Sequence, residues 1–172
     1  MLVSLGHRTS RDDVIDLLSE CHLRIRKFIG LARQLARTPE VPADEAATVA
    51  GQVRRYFEQA FPLHVTDEDE LISPCLAGHS PDVDAALATM TADHGAHAGA
   101  VDRLVAACAA IEREPATLAA RAAELGEAAA ELTAVVEPHL ALEERTIFPA
   151  LRSLTPDVRE RVRTAMRERR QR

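Results

Sequence analysis

A pattern that occurs twice constrains this chain more than any other feature. His64, Glu68, Ile72, Pro74 and Leu76 are echoed by His139, Glu143, Ile147, Pro149 and Leu151, each 75 residues later. In both copies a His precedes a Glu by four positions. At about 100° per residue this places the imidazole and the carboxylate on one helix face, about one turn apart. Such a pair is half of a metal site, and two helices that each carry one can face each other across a bundle core.

The rest of the chain reads as helix. Ala and Leu abound, Gly is sparse, aromatics are 3% of residues, and no stretch alternates apolar and polar residues long enough to suggest a strand. The reading is an all-α, up-down-up-down four-helix bundle with a short fifth helix. It treats residues 1–172 as one domain, with a core at 11–151 and a basic C-terminal helix at 155–172.

Ser10, with Asp13 three residues on, is read as the cap of a first helix from about Arg11 to Arg37. Two prolines in Thr38-Pro-Glu-Val-Pro42 break it. A second helix starts near Ala43 and passes through His64 to Leu71, before Pro74. Ser80 and Pro81 open a third, Glu114-Pro115 separates it from a fourth that reaches Ile147 before Pro149, and Thr155-Pro156-Asp157 opens the last. Pro62 and Pro138 sit just ahead of the two histidines and are expected to kink or bulge each helix there.

Each of the other two long helices adds an imidazole on an apolar stripe: His22, between Leu18 and Ile25, and His94, between Met90 and Val101. The candidate ligand set is therefore His22, His64, Glu68, His94, His139 and Glu143. Burying so many polar groups without partners is costly, so the combination points to a metal. Asp67, Asp69, Asp93 and Glu144 adjoin these positions and are candidate acceptors for imidazole N–H groups, though most are expected to be solvated. Cys21 and Tyr56 are weaker candidates, and Phe57, Ile29, Leu132 and Ile147 would line the pocket. His7 and His79 fall in segments read as flexible and carry no role.

The formal charge of −6 is uneven: residues 152–172 hold eight Arg against three acidic residues. No aromatic interleaves these arginines, so a helix paired with the acidic body is favoured over a nucleic-acid surface. No apolar run reaches the length of a membrane span and no leader pattern opens the chain, which places the protein in the cytoplasm. Three widely spaced cysteines read as reduced thiols.

The order His22, His64-x-x-x-Glu68, His94, His139-x-x-x-Glu143, closing on Glu-Arg-Thr-Ile-Phe-Pro149, resembles the hemerythrin-like (HHE cation-binding) domain family over about residues 11–151. The resemblance implies a four-helix bundle around two oxo- or hydroxo-bridged iron ions, with manganese as an alternative. Glu68 and Glu143 would bridge, His22 and His64 would hold one ion, and His94 and His139 the other. The chain departs from oxygen-carrying hemerythrins on the third helix, where Ala98 stands in place of a second His. His97, one position earlier, is read as an exposed or supporting residue, and Glu144 occupies the carboxylate spacing of the carriers. Two imidazoles, two carboxylate oxygens and one bridge leave an open position on each ion, for O₂, H₂O₂ or NO. The leading expectation is a diiron protein, monomeric or homodimeric, that binds or reacts with such a ligand. The alternatives are an oxygen or iron sensor without turnover, and a structural bundle that binds zinc or nothing.

Overall fold

The computed structural model describes residues 13–171, and all regular structure among them is helical. Helix α1 is Val14–Arg37, α2 runs over residues 43–76, α3 is Pro81–Arg113, α4 runs over residues 118–153, and α5 is Pro156–Arg169. Each of α1 to α4 packs on its two neighbours in a ring, α1 on α2, α2 on α3, α3 on α4 and α4 on α1. Short connections force these neighbours to be antiparallel. None of the described helices is long and apolar enough to cross a membrane.

Several helix ends follow the local chemistry read from sequence. The α1–α2 break falls at residues 38–42, and Ser80 caps α3 by accepting from the Val83 amide at 3.3 Å. At the start of α1 the capping box sits one turn later than expected. Asp13 is itself the cap, and its amide donates to the Asp16 carboxylate at 3.1 Å. The expected Ser10 cap, the Arg11 start and His7 lie outside the described residues.

The prolines act differently from the expectation. Neither Pro74 nor Pro149 ends its helix: α2 continues to Leu76 and α4 to Ser153. Ahead of each, the backbone widens into a π-helical turn, Glu68–Ile72 and Glu143–Ile147. A wider turn moves the carbonyl that the pyrrolidine ring would strike and removes the need for the missing N–H. A third π turn, Tyr56–Ala60, precedes Pro62, as the expected bulge ahead of His64. Pro138 has none before it. It lies inside regular helix, where both it and Ala134 face solvent and the freed carbonyl can turn to water.

Two apolar clusters fill the bundle. One, built on Ile25, Phe57, Leu104, Leu125 and Leu132, occupies the end nearest the α1–α2 connection. The other, built on Val14, Ile72, Met90 and Leu151, includes Val162 and Met166 of α5. On every bundle helix the polar candidates fall in the gap between these clusters. Ile29, Leu132 and Ile147 are ordinary members of the two cores.

The last helix pairs with the acidic body. Arg169 and Arg170 reach the Asp67 carboxylate at 3.1 and 2.6 Å, Arg169 also reaches Glu70 at 2.6 Å, and Arg159 meets Asp13 at 3.4 Å.

Candidate metal centre

Each bundle helix brings one of the expected imidazoles to the same level: His22 from α1, His64 from α2, His94 from α3 and His139 from α4. Glu68 and Glu143 stand among them, each the first residue of a π turn. The Glu68 carboxylate has Oε1 at 3.0 Å from His64 Nε2 and Oε2 at 3.0 Å from His94 Nε2. Glu143 has Oε2 at 2.9 Å from His22 Nε2 and Oε1 at 2.6 Å from His139 Nε2. Each carboxylate thus divides its two oxygens between two imidazole pairs. His22, His64, Glu68 and Glu143 form one set of potential ligand atoms within 4.8 Å of one another, and Glu68, His94, His139 and Glu143 form the other.

The outer ring nitrogens are held in turn. His22 Nδ1 lies 2.9 Å from Glu144, His94 Nδ1 3.1 Å from Asp69, and His139 Nδ1 3.4 Å from Asp93. A proton on Nδ1, donated to a carboxylate, leaves the Nε2 lone pair facing inward and fixes the ring plane. Glu144 is further anchored by Arg26 at 2.7 Å, whose guanidinium also bonds Glu137. Asp67 alone of the four expected acceptors goes elsewhere, to Arg169 and Arg170. His64 lacks a carboxylate on Nδ1 and has the Cys21 side chain beside it.

Charge is balanced tightly in this setting. Burial drives the His64 imidazole toward its neutral form, but the Glu68 carboxylate, with Cys21 and Glu143, outweighs it and holds the pKa well above the ordinary value. Burial likewise disfavours protonated His139, and Glu143 overcomes it. Glu68 is desolvated too, yet His64 and His94 keep it well below the usual carboxylate range. These carboxylates therefore require positive charge beside them.

The donor set fits a cation. His64 Nε2, Glu68 Oε1 and Glu143 Oε1 are buried and make no well-directed hydrogen bond, although His64 Nε2 and Glu68 Oε1 are only 3.0 Å apart. Buried polar atoms in this state are costly, and an ion between them satisfies several at once. Two imidazole nitrogens and two carboxylate oxygens at each position suit a first-row divalent metal.

Between α2 and α3 the polar level comes closest to solvent. The His94 side chain is 7% exposed, against 1–3% for the other five.

A seventh residue, expected to be exposed or supporting, is buried against the site. His97 is 2% exposed, so it is not a surface residue. Its Nε2–H donates to the Val135 carbonyl at 3.1 Å, its Nδ1 is buried without a partner, and its ring meets His139 edge-on with centroids 4.7 Å apart. Burial, reinforced by His139, lowers its pKa and keeps it neutral. The signal was a seven-residue stripe: Val83, Met90, His97, Leu104 and Ile111 are all buried, and His97 lies on it while His94 sits one turn to the side. With Asp93 and His139, His97 makes a third group of potential ligand atoms.

The family model described as Hemerythrin HHE cation binding domain matches residues 13–151. The chain belongs to this hemerythrin family. The matched span covers the four bundle helices up to Leu151 and leaves α5 outside. No curated protein matches the chain. As a hemerythrin-family protein it has a cation-binding domain by description, and its six His and Glu side chains are grouped so that they could hold metal.

Proposed function

We propose that this chain is a dinuclear metal protein, with iron in both positions and manganese as the alternative, whose small ligand is O₂, H₂O₂ or NO. His22 and His64 would hold one ion and His94 and His139 the other, with Glu68 and Glu143 as bridges. The observation that carries this reading is the division of each carboxylate between the two imidazole pairs. Two adjacent redox-active ions supply two-electron chemistry to a bound oxygen or nitrogen-oxide ligand.

The chain's own contribution is orientation and exclusion of water. Glu144, Asp69 and Asp93 set the imidazole planes. The apolar clusters on either side close the site along the bundle axis, and the partly open flank at His94 is the approach for a ligand. Three free thiols suit a reducing compartment, in keeping with a cytoplasmic protein.

The test is addition of H₂O₂ or NO to aerobically purified protein, followed by visible absorption and by peroxide loss. A spectral response and peroxide consumption that both vanish in His64→Ala are expected. Consumption unchanged in that variant contradicts the proposal. A second reading, a sensor without turnover, draws support from the clasp of Arg169 and Arg170 on Asp67, the residue next to Glu68. In that case, protease sensitivity of α5 would change with metal or ligand while no peroxide is consumed.

A further inference from the structure

The approach to His94 is much larger than a diatomic gas or H₂O₂ requires. Between α2 and α3 a groove of about 460 Å³ is walled by Phe57, Phe61, Val65, Val101 and Val105, and His94 and Ala98 also line it. One water occupies roughly 30 Å³ of liquid, so the groove has room for a ligand of many heavy atoms. Phe57 and Phe61 form its buried floor, at 1% and 7% exposure. Val65, Val101 and Val105 are half-buried along its sides, and Ala98 is exposed. A wettable passage for H₂O₂ would not need hydrocarbon on both walls, and an apolar surface of this kind gains by being covered.

Two features narrow the occupant. The polar residues on the groove are Glu58, Thr66 and Asp102 besides His94. Thr66 already donates to the Pro62 carbonyl and Glu58 pairs with Arg54. Apart from His94 the groove is lined by no basic side chain that could pair with an anion such as a fatty-acid carboxylate, and its carboxylates, on a chain of net charge −6, oppose one. Ala98, one helical turn from His94 on the exposed side of the groove, has only a methyl group and leaves room for a small head group to reach His94.

We propose that this groove binds the hydrocarbon part of an uncharged organic hydroperoxide and directs its O–O group along the His94 side to the metal centre. The assignment rests on the dinuclear reading above and names its substrate class. Reduction breaks the O–O bond and takes up two electrons and two protons, giving an alcohol and water. In a single turnover the two electrons would come one from each of two divalent ions held by the six ligands, the protons from solvent, and a thiol reductant, oxidised to its disulfide, would restore the electrons afterwards.

The experiment compares cumene hydroperoxide with H₂O₂ in wild type and Ala98→Phe, using reduced, metal-loaded protein. In parallel, saturation-transfer NMR on the protein as isolated reads binding of the unreactive product alcohol, 2-phenyl-2-propanol, without any turnover. Ala98→Phe should lower the rate with the organic hydroperoxide, relative to that with H₂O₂, about tenfold or more, a typical effect of a poorly filled or blocked apolar pocket. Saturation transfer to the phenyl protons should be clear in wild type and lost in Ala98→Phe and in Val101→Glu. Metal content and the circular dichroism melt of each variant establish that it is folded. No saturation transfer, or transfer that survives both substitutions, overturns the groove assignment while leaving H₂O₂ chemistry standing. Binding of the alcohol with no reaction of either peroxide overturns the hydroperoxide assignment together with the peroxide reading beneath it.

Discussion

Replacing Arg169 and Arg170 together by Met keeps their apolar stems but removes both cations from Asp67. The Asp67 side chain is 0% exposed, and the two guanidinium groups at 3.1 and 2.6 Å are its ionic partners. Burial alone pushes its pKa up, and Arg170 and Arg169 pull it back only in part. The double variant must therefore bury an unpaired carboxylate, protonate it or release the end of α5. Stranding a buried charge in this way costs about 3–5 kcal/mol. For a chain of this size each kcal/mol moves Tm by about 2–4 °C, so a fall of roughly 6–20 °C is expected. Asp67→Asn leaves instead two cations whose side chains are 22% and 30% exposed and can turn to water, and it should cost only about 1–2 kcal/mol. Adding Asp67→Asn to the double Met variant should then restore stability. The sign with pH follows from a carboxyl whose folded pKa lies above its ordinary 3.8. Such a group favours the fold when protonated and loses that contribution as pH rises through its folded value, so the deficit of the double variant shrinks on acidification toward that value. Urea titrations of metal-free protein, followed by circular dichroism, measure all three variants. A triple variant no more stable than the double one would refute the reasoning.

Two other predictions concern the centre directly. In metal-free protein His64 and His139 have raised pKa values, so their contribution to stability is complete below the ordinary 6.5 and is lost as pH rises through their folded values. Glu68, held low, contributes above its ordinary 4.5 and is lost as pH falls. Metal must displace the imidazole protons, so affinity should rise with pH and binding should release protons. Calorimetry in buffers of different ionisation enthalpy reads this, and a pH-independent affinity above the ordinary imidazole range counts against it. Asp93→Asn and Asp69→Asn each remove a charged acceptor from an imidazole Nδ1, and each should weaken metal binding about 10–100-fold. Competition with a chelator measures it, and wild-type affinity in both variants would show that these contacts do not orient ligands.

Much of this was legible in sequence because helix periodicity and metal spacing share one geometry. A His and a Glu four residues apart must share a face, so His64, Glu68, His139 and Glu143 could be placed without coordinates. Ser80-Pro81 and Thr38 to Pro42 gave their helix ends through local chemistry that tertiary packing has no reason to override. The failures came where one position has two competing readings. Pro74 and Pro149 read as stops, but a preceding π turn absorbs each, and no residue type signals that turn by itself. His97 reads as exposed or supporting, and the seven-residue stripe of buried positions that it lies on removes the exposed reading. Asp67 looked like the acceptors Asp69 and Asp93, yet only the packing of α5, far away in sequence, decides that it faces two arginines.

The central claim is that Glu68 and Glu143 each serve two ions. Metal content per chain, measured by mass spectrometry after loading with Fe(II), tests it in wild type, Glu68→Ala and Glu143→Ala, with the visible spectrum recorded after exposure to air. About two ions per chain and oxo-bridged diferric absorption are expected in wild type, and loss of both in either variant, because each carboxylate belongs to both groups of potential ligands. One ion per chain in wild type, or a stoichiometry unchanged by either substitution, would contradict it.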